Sequence, residues 1–180
     1  DLLNGKYINI TDINSPDEPV LYQNINALPR AAVFYNYRFV EGDDEKLLDL
    51  LSSKEFDIRK ELIMSSPVDM QNFPEKSFEK ASIIKYTEDI MEIEVTVTTP
   101  AILFLSEIYY PGWKALVDGK PEQIYRADCI FRAVPLREPG KHHIRVYFDP
   151  VSYKTGKIIS ITAIFLILCY FSIPLLHKKQ

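Results

Sequence analysis

The sequence predicts a mainly β protein: an antiparallel β-sandwich with one short soluble α-helix at about 43–53, followed by a C-terminal transmembrane helix. Three observations predict it. The stretch "EIEVTVT", residues 92–98, alternates strictly, with Ile93, Val95 and Val97 on one face and Glu92, Glu94, Thr96 and Thr98 on the other. Residues 81–150 break into short apolar runs separated by Pro, Gly and Asp turn signals, a spacing that suits sandwich strands. Finally, "IISITAIFLILCYFSIPLL", Ile158 to Leu176, runs 19 residues without a charge.

Taken in order, "DLLNGKYINITD" predicts a strand around Tyr7 to Ile10, and "PVLYQN" another around Val20 to Gln23. The Val, Phe and Tyr content of Ala31 to Val40 suits a buried strand. Gly42, Asp43 and Asp44 then supply breaker and N-cap signals for "EKLLDLLSS", where Leu47, Leu48 and Leu51 share one face. A short strand follows at Glu61 to Ser65, and "PVDMQNFPEKS" reads as a Pro-punctuated linker. The body is thus divided as 1–66 (strands plus helix), 67–80 (linker) and 81–150 (sandwich strands), within a β-rich unit of 1–152. After Pro100, "AILFLS" is apolar on both faces, as in a central strand covered on both sides. Asp118-Gly119 between "WKALV" and "EQIYRA" signals a hairpin, and Pro139-Gly140 a second turn.

At 1.5 Å per residue the apolar run makes about 28 Å of helix, close to the hydrocarbon thickness of a bilayer. Twelve of its residues are Ile, Leu or Phe. Together they favour insertion by about 4 to 7 kcal/mol before Ser, Thr and Pro are counted against it. The expected span is 154–177, with 178–180 as a cytoplasmic tail. Lys154 and Lys157 precede the run and His177, Lys178 and Lys179 follow it, so charge bias does not decide the orientation.

A net charge of −4 offers no footprint for nucleic acid. There is no Gly-rich phosphate loop, no Cys/His pair at zinc spacing and no Gly-x-Ser-x-Gly elbow, so neither a metal site nor a cofactor is expected. Cys129 lies in the soluble part and Cys169 in the apolar run, which makes a bridge between them geometrically implausible. His142 and His143 are neighbours on a strand and point to opposite faces. The chain starts at Asp1 without a signal-peptide pattern, and a C-terminal piece of a longer protein is expected.

The candidate binding residues are Tyr109, Tyr110, Trp113 and Arg126. The aromatic three flank Pro111-Gly112 and offer flat apolar faces with polar handles to a ligand such as a sugar ring. The competing and preferred reading is that they hold their own corner together, with ligand contact left open for the exposed tyrosines. Arg126 and Arg132, on neighbouring strands, are weak candidates for an anionic group.

The segment "SEIYYPGWKALVDGKPEQIYRADCIFRAVPLREPGKHHIRVYFDP", residues 106–150, resembles the C-terminal extracytoplasmic signature of the YfhO family of bacterial multi-spanning membrane proteins. "DLLNGKYI", "LPRAAVFY", "FDIRK" and the terminal apolar helix occur in the order which that family shows. The resemblance implies a protein similar to C-type glycosyltransferases, with an acidic catalytic residue in an early outer loop and a sugar donor carried on polyprenyl phosphate. The acceptor would be an envelope polymer such as a teichoic acid. That loop would precede Asp1, so no catalytic residue is assigned within this chain. The implied location is the bacterial cytoplasmic membrane, with the β-domain outside and the tail "HKKQ" inside. Two other readings stay open: a single-pass tethered module that binds carbohydrate or protein without catalysis, and a structural domain of a transporter-like protein.

Overall fold

The computed structural model describes residues 7–12, 15–23, 27–53, 56–73 and 75–177. The expected 178–180 tail lies outside them, as does the start of "DLLNGKYI". The elements in chain order are β1 (Tyr7–Asp12), β2 (Ser15–Gln23), β3 (Ala31–Phe34), β4 (Tyr37–Phe39), α1 (Asp44–Ser52), β5 (Leu62–Met64), β6 (Glu79–Lys80) and β7 (Ser82–Tyr86). They continue with β8 (Ile90–Val97), β9 (Ala101–Ile108), β10 (Trp113–Val117), β11 (Lys120–Glu122), β12 (Tyr125–Ala127), β13 (Phe131–Leu136), β14 (Gly140–Phe148) and α2 (Val151–His177).

The β1–β2 pair forms a small antiparallel sheet of its own. The remaining strands build two sheets, ordered β11-β10-β14-β8-β7 and β4-β5-β12-β13-β9-β3-β6. All pairs are antiparallel except β4 with β5. The alternation of β8 does what its pattern predicts: Met91, Ile93, Val95 and Val97 point inward. They meet Ile144 and Val146 of β14 and, from the facing sheet, Val33, Leu103, Leu105, Val134 and Leu136. This inter-sheet layer is the sandwich core.

The larger sheet buries its other face as well. Phe34, Phe104 and Phe131 run across it in edge-to-face contacts of 5.8 and 5.4 Å, and Phe78 stacks on Phe34 at 5.4 Å. Val68, Met70 and Phe78 pack over this face. Tyr37 donates its hydroxyl to the Met70 carbonyl at 2.6 Å, and the Asn72 amide donates to Tyr37 O at 2.6 Å while accepting from Tyr37 N at 3.2 Å. Strand β9 is therefore covered on both sides, which explains why "AILFL" carries no polar residue.

Helix α1 starts as its caps predict, with the Asp43 carboxylate accepting from Lys46 N at 3.1 Å. Its buried stripe is Leu47 with Leu50 and Leu51, packed on Phe56, Ile63 and Cys129. Leu48, expected on that stripe, is exposed, because one helix lying on a narrow apolar strip covers only the i, i+3, i+4 positions.

The Asp118-Gly119 hairpin forms with φ of 53° and 79°, the positive pair such a turn needs. The Pro139-Gly140 turn does something else. It carries the chain from β13 in one sheet to β14 in the other, so it closes the sandwich rather than a hairpin. The hairpin that precedes it, β12–β13, turns at Asp128 and Cys129, both with positive φ (43° and 67°) and neither a glycine.

Helix α2 spans 27 residues, about 40 Å. Every residue from Val151 to Leu168 is exposed, so this apolar helix stands clear of the body and is no core helix. Among the described residues it is the helix long and apolar enough to cross a membrane.

Candidate functional site

Strands β8, β9, β10, β13 and β14 give the sandwich two ends. At one end lie the Asp118 turn and His142. At the other lie Trp113, Ile108 and Phe148, directly before α2. The antiparallel register pairs Trp113 with Phe148, and the rings approach to 5.3 Å. Tyr110 sits 6.3 Å from the same Phe148 ring.

The corner before Trp113 is fastened to the chain entering α2. Gly112 has φ +109°, and a Cβ there would lie 2.9 Å from Pro150 Cβ and 3.0 Å from the Phe148 ring. Only glycine allows this approach. Asp149 N donates to Gly112 O at 2.7 Å. The Asp149 carboxylate then bridges Lys114 of β10 at 2.7 Å and Lys154 in the first turn of α2 at 2.8 Å. Hydrogen bonds from these two lysines hold its pKa below the ordinary carboxylate value. Each exposed pair adds little stability alone. Together with the backbone bond they fix the direction in which the helix leaves the sandwich.

Arg132 covers the Trp113 ring from the facing sheet, with its guanidinium 3.7 Å from the ring centroid. Its Nε donates to Ile108 O at 2.8 Å, next to a register shift between Phe131 and Arg132 that opens the β13–β9 ladder there. Burial lowers the Arg132 pKa, with Glu107 and Tyr86 opposing, and the group stays charged as arginines do. Beside it, Arg30 Nη1 contacts both the Glu107 carboxylate and the Tyr86 hydroxyl, and its guanidinium lies 4.7 Å from the Tyr86 ring centroid. Burial, then the Glu107 hydrogen bond, raises the Tyr86 pKa.

The structure thus brings Tyr109, Tyr110 and Trp113 to one end and leaves Arg126 elsewhere. Tyr109 is tied by its backbone N to Ile130 O at 2.6 Å, and Tyr110 projects largely exposed. Trp113 is half-buried against the inter-sheet core. Arg126, although paired in register with Arg132, is drawn to α1, where it meets Asp44 at 2.9 Å and the Ser65 hydroxyl at 3.2 Å. The members that sequence reasoning did not single out are Phe148, Asp149 and Lys154. The long-range register that joins them to the corner has no local signature.

The other polar clusters have internal explanations. A shallow groove lined by Glu79, Lys80, Ser82, Glu94, Thr96 and Lys141 has its Glu94 and Lys141 paired at 2.8 Å. The buried His142 ring contacts the Asp118 carboxylate (Nδ1, 2.6 Å) and Glu138 O (Nε2, 2.8 Å), which braces the far turn. No group of three or more metal-ligating side chains occurs among the described residues.

A sheet-built body fastened through a rigid corner to an exposed, membrane-length apolar helix defines a membrane-anchored β-sandwich domain. Its family is shown as well: the model of the bacterial membrane protein YfhO family matches residues 69–160, and the chain belongs to that family. The match takes in all of the 106–150 segment and continues through the corner into α2. No curated protein and no solved structure matches the chain.

Proposed function

We propose that this chain is the outer accessory domain and an adjoining membrane helix of a multi-spanning envelope protein that transfers sugars from a polyprenyl-phosphate carrier. The observation that carries the reading is the latched junction at Gly112, Asp149 and Lys154, in a chain of the YfhO family. It joins the aromatic and arginine-rich end of the sandwich to the start of α2, which supports a reading in which that end faces the membrane, where a lipid-carried donor and a polymer acceptor would meet. In this reading the body lies on the extracytoplasmic side, catalysis belongs to membrane loops outside residues 1–180, and the domain shapes the acceptor side of their site.

The test is genetic and chemical. Deleting the gene removes a sugar from an envelope polymer, and full-length protein restores it. Full-length protein carrying Tyr110→Ala keeps its membrane level but restores less of the sugar. Unchanged glycosylation in the deletion strain contradicts the enzyme reading and leaves a structural role or a tethered binding module.

A further inference from the structure

Ile108 and Tyr110 stand 63% and 62% exposed on either side of Tyr109, the most exposed large apolar side chains described on the β-sheet body. Tyr110 neighbours the Phe148 ring at 6.3 Å, Gly112 packs on Pro150, and Val151 and Tyr153 in the first turn of α2 are exposed as well, so exposed apolar side chains run from the corner to the start of the helix that enters the bilayer.

Distances along the helix say what covers them. Seven helical steps lead from Val151 to Ile158, where the uncharged run begins. They rise about 10 Å, against roughly 5 to 8 Å for the headgroup layer on each side of the hydrocarbon core. Val151 consequently sits just outside that layer. The Gly112 corner touches Pro150, one residue before. A tyrosine side chain at this corner is long enough to cover the remaining distance. Tyrosine and tryptophan partition to this depth because an apolar ring and a polar tip suit its two sides. Lys157 is exposed near the same junction, with an ammonium group that suits phosphate headgroups, while those of Lys114 and Lys154 are held by Asp149.

We infer that the 108–110 corner is a second membrane contact, inserting Ile108 and Tyr110 among lipid headgroups so that the sandwich rests on the bilayer. The inference requires α2 to span the membrane and does not depend on the proposed sugar transfer. An empty glycosylation assay leaves it standing.

The test uses the whole 180-residue chain in lipid vesicles. An environment-sensitive fluorophore is placed on a cysteine introduced by Tyr110→Cys or, at the opposite end of β10, by Lys120→Cys. Chain without an added cysteine supplies the blank for Cys129 and Cys169. Lipids with a nitroxide on the headgroup are the quencher. The label at 110 is expected to be blue-shifted and to lose emission to the quencher, while the label at 120 keeps its emission. Equal quenching at the two positions, weaker quenching at 110, or no quenching at 110 overturns the inference.

Discussion

Arg132 lies face-on to Trp113, its guanidinium 3.7 Å from the ring centroid, and so joins the two sheets at the end of the sandwich nearest the membrane helix. A nearly buried cation normally calls for a carboxylate. Here an aromatic face and the Ile108 carbonyl serve, with Glu107 adding attraction nearby.

Trp113→Ala removes both the ring packing on Phe148 and the cover of Arg132. Because Trp113 is only half-buried, the expected cost is about 2 to 4 kcal/mol, at or below the lower part of the range for core tryptophans. Trp113→Phe, which keeps a ring, costs less. Denaturant midpoints of the detergent-solubilised chain check both.

Gly112→Ala and Gly119→Ala separate strain from crowding. Both positions have positive φ, yet a Cβ at Gly119 meets nothing within 4 Å, whereas one at Gly112 meets Pro150 and Phe148. Gly119→Ala is expected to cost on the order of 1 kcal/mol and Gly112→Ala clearly more. Thermal unfolding of the two variants side by side measures the difference. Equal costs contradict the close approach of the corner to the helix entry.

Burial pushes the Asp128 carboxyl up to about 7, with Ile63 N donating to Oδ1 at 2.8 Å and Oδ2 without a hydrogen-bond partner among the described residues. An acid whose folded pKa is raised favours folding when protonated. Stability from this group is complete below the ordinary value of 3.8 and is lost as pH rises through about 7. Asp128→Asn is expected to flatten the loss between those limits, as denaturation midpoints across that pH range would record.

At the far end, burial lowers the His142 pKa but the Asp118 carboxylate and Glu138 carbonyl outweigh it, and the net shift is upward. With an acceptor at each ring nitrogen, the site favours the doubly protonated ring. Its stabilisation is complete below the unfolded value near 6.5 and fades as pH rises through the folded one. His142→Gln removes this dependence without touching that of Asp128. NMR titration of the His142 ring is the direct check, and a folded pKa below 6.5 contradicts it.

Much of this architecture was legible where the signal is local. The alternation in β8, the double-sided apolarity of β9, the Asp118-Gly119 turn, the Asp43 cap and the uncharged run of α2 each express one physical rule in adjacent residues. What stayed hidden depends on distant pairing. Nothing near Pro139 says that β13 and β14 belong to different sheets. The Asp128-Cys129 turn, lacking glycine, draws on a hydrogen bond from Ile63, sixty-five residues away. Likewise, Tyr110 and Trp113 were visible as an aromatic cluster, but their latch to Asp149 and Lys154 appears only once β10 and β14 are in register.

Alkaline carbonate extraction of membranes from cells producing the chain decides whether the sheet-built body ends in a helix that crosses the lipid. The full chain should remain with the membrane pellet, and a chain ending at Pro150 should be released. Release of the full chain by carbonate would contradict a helix that crosses.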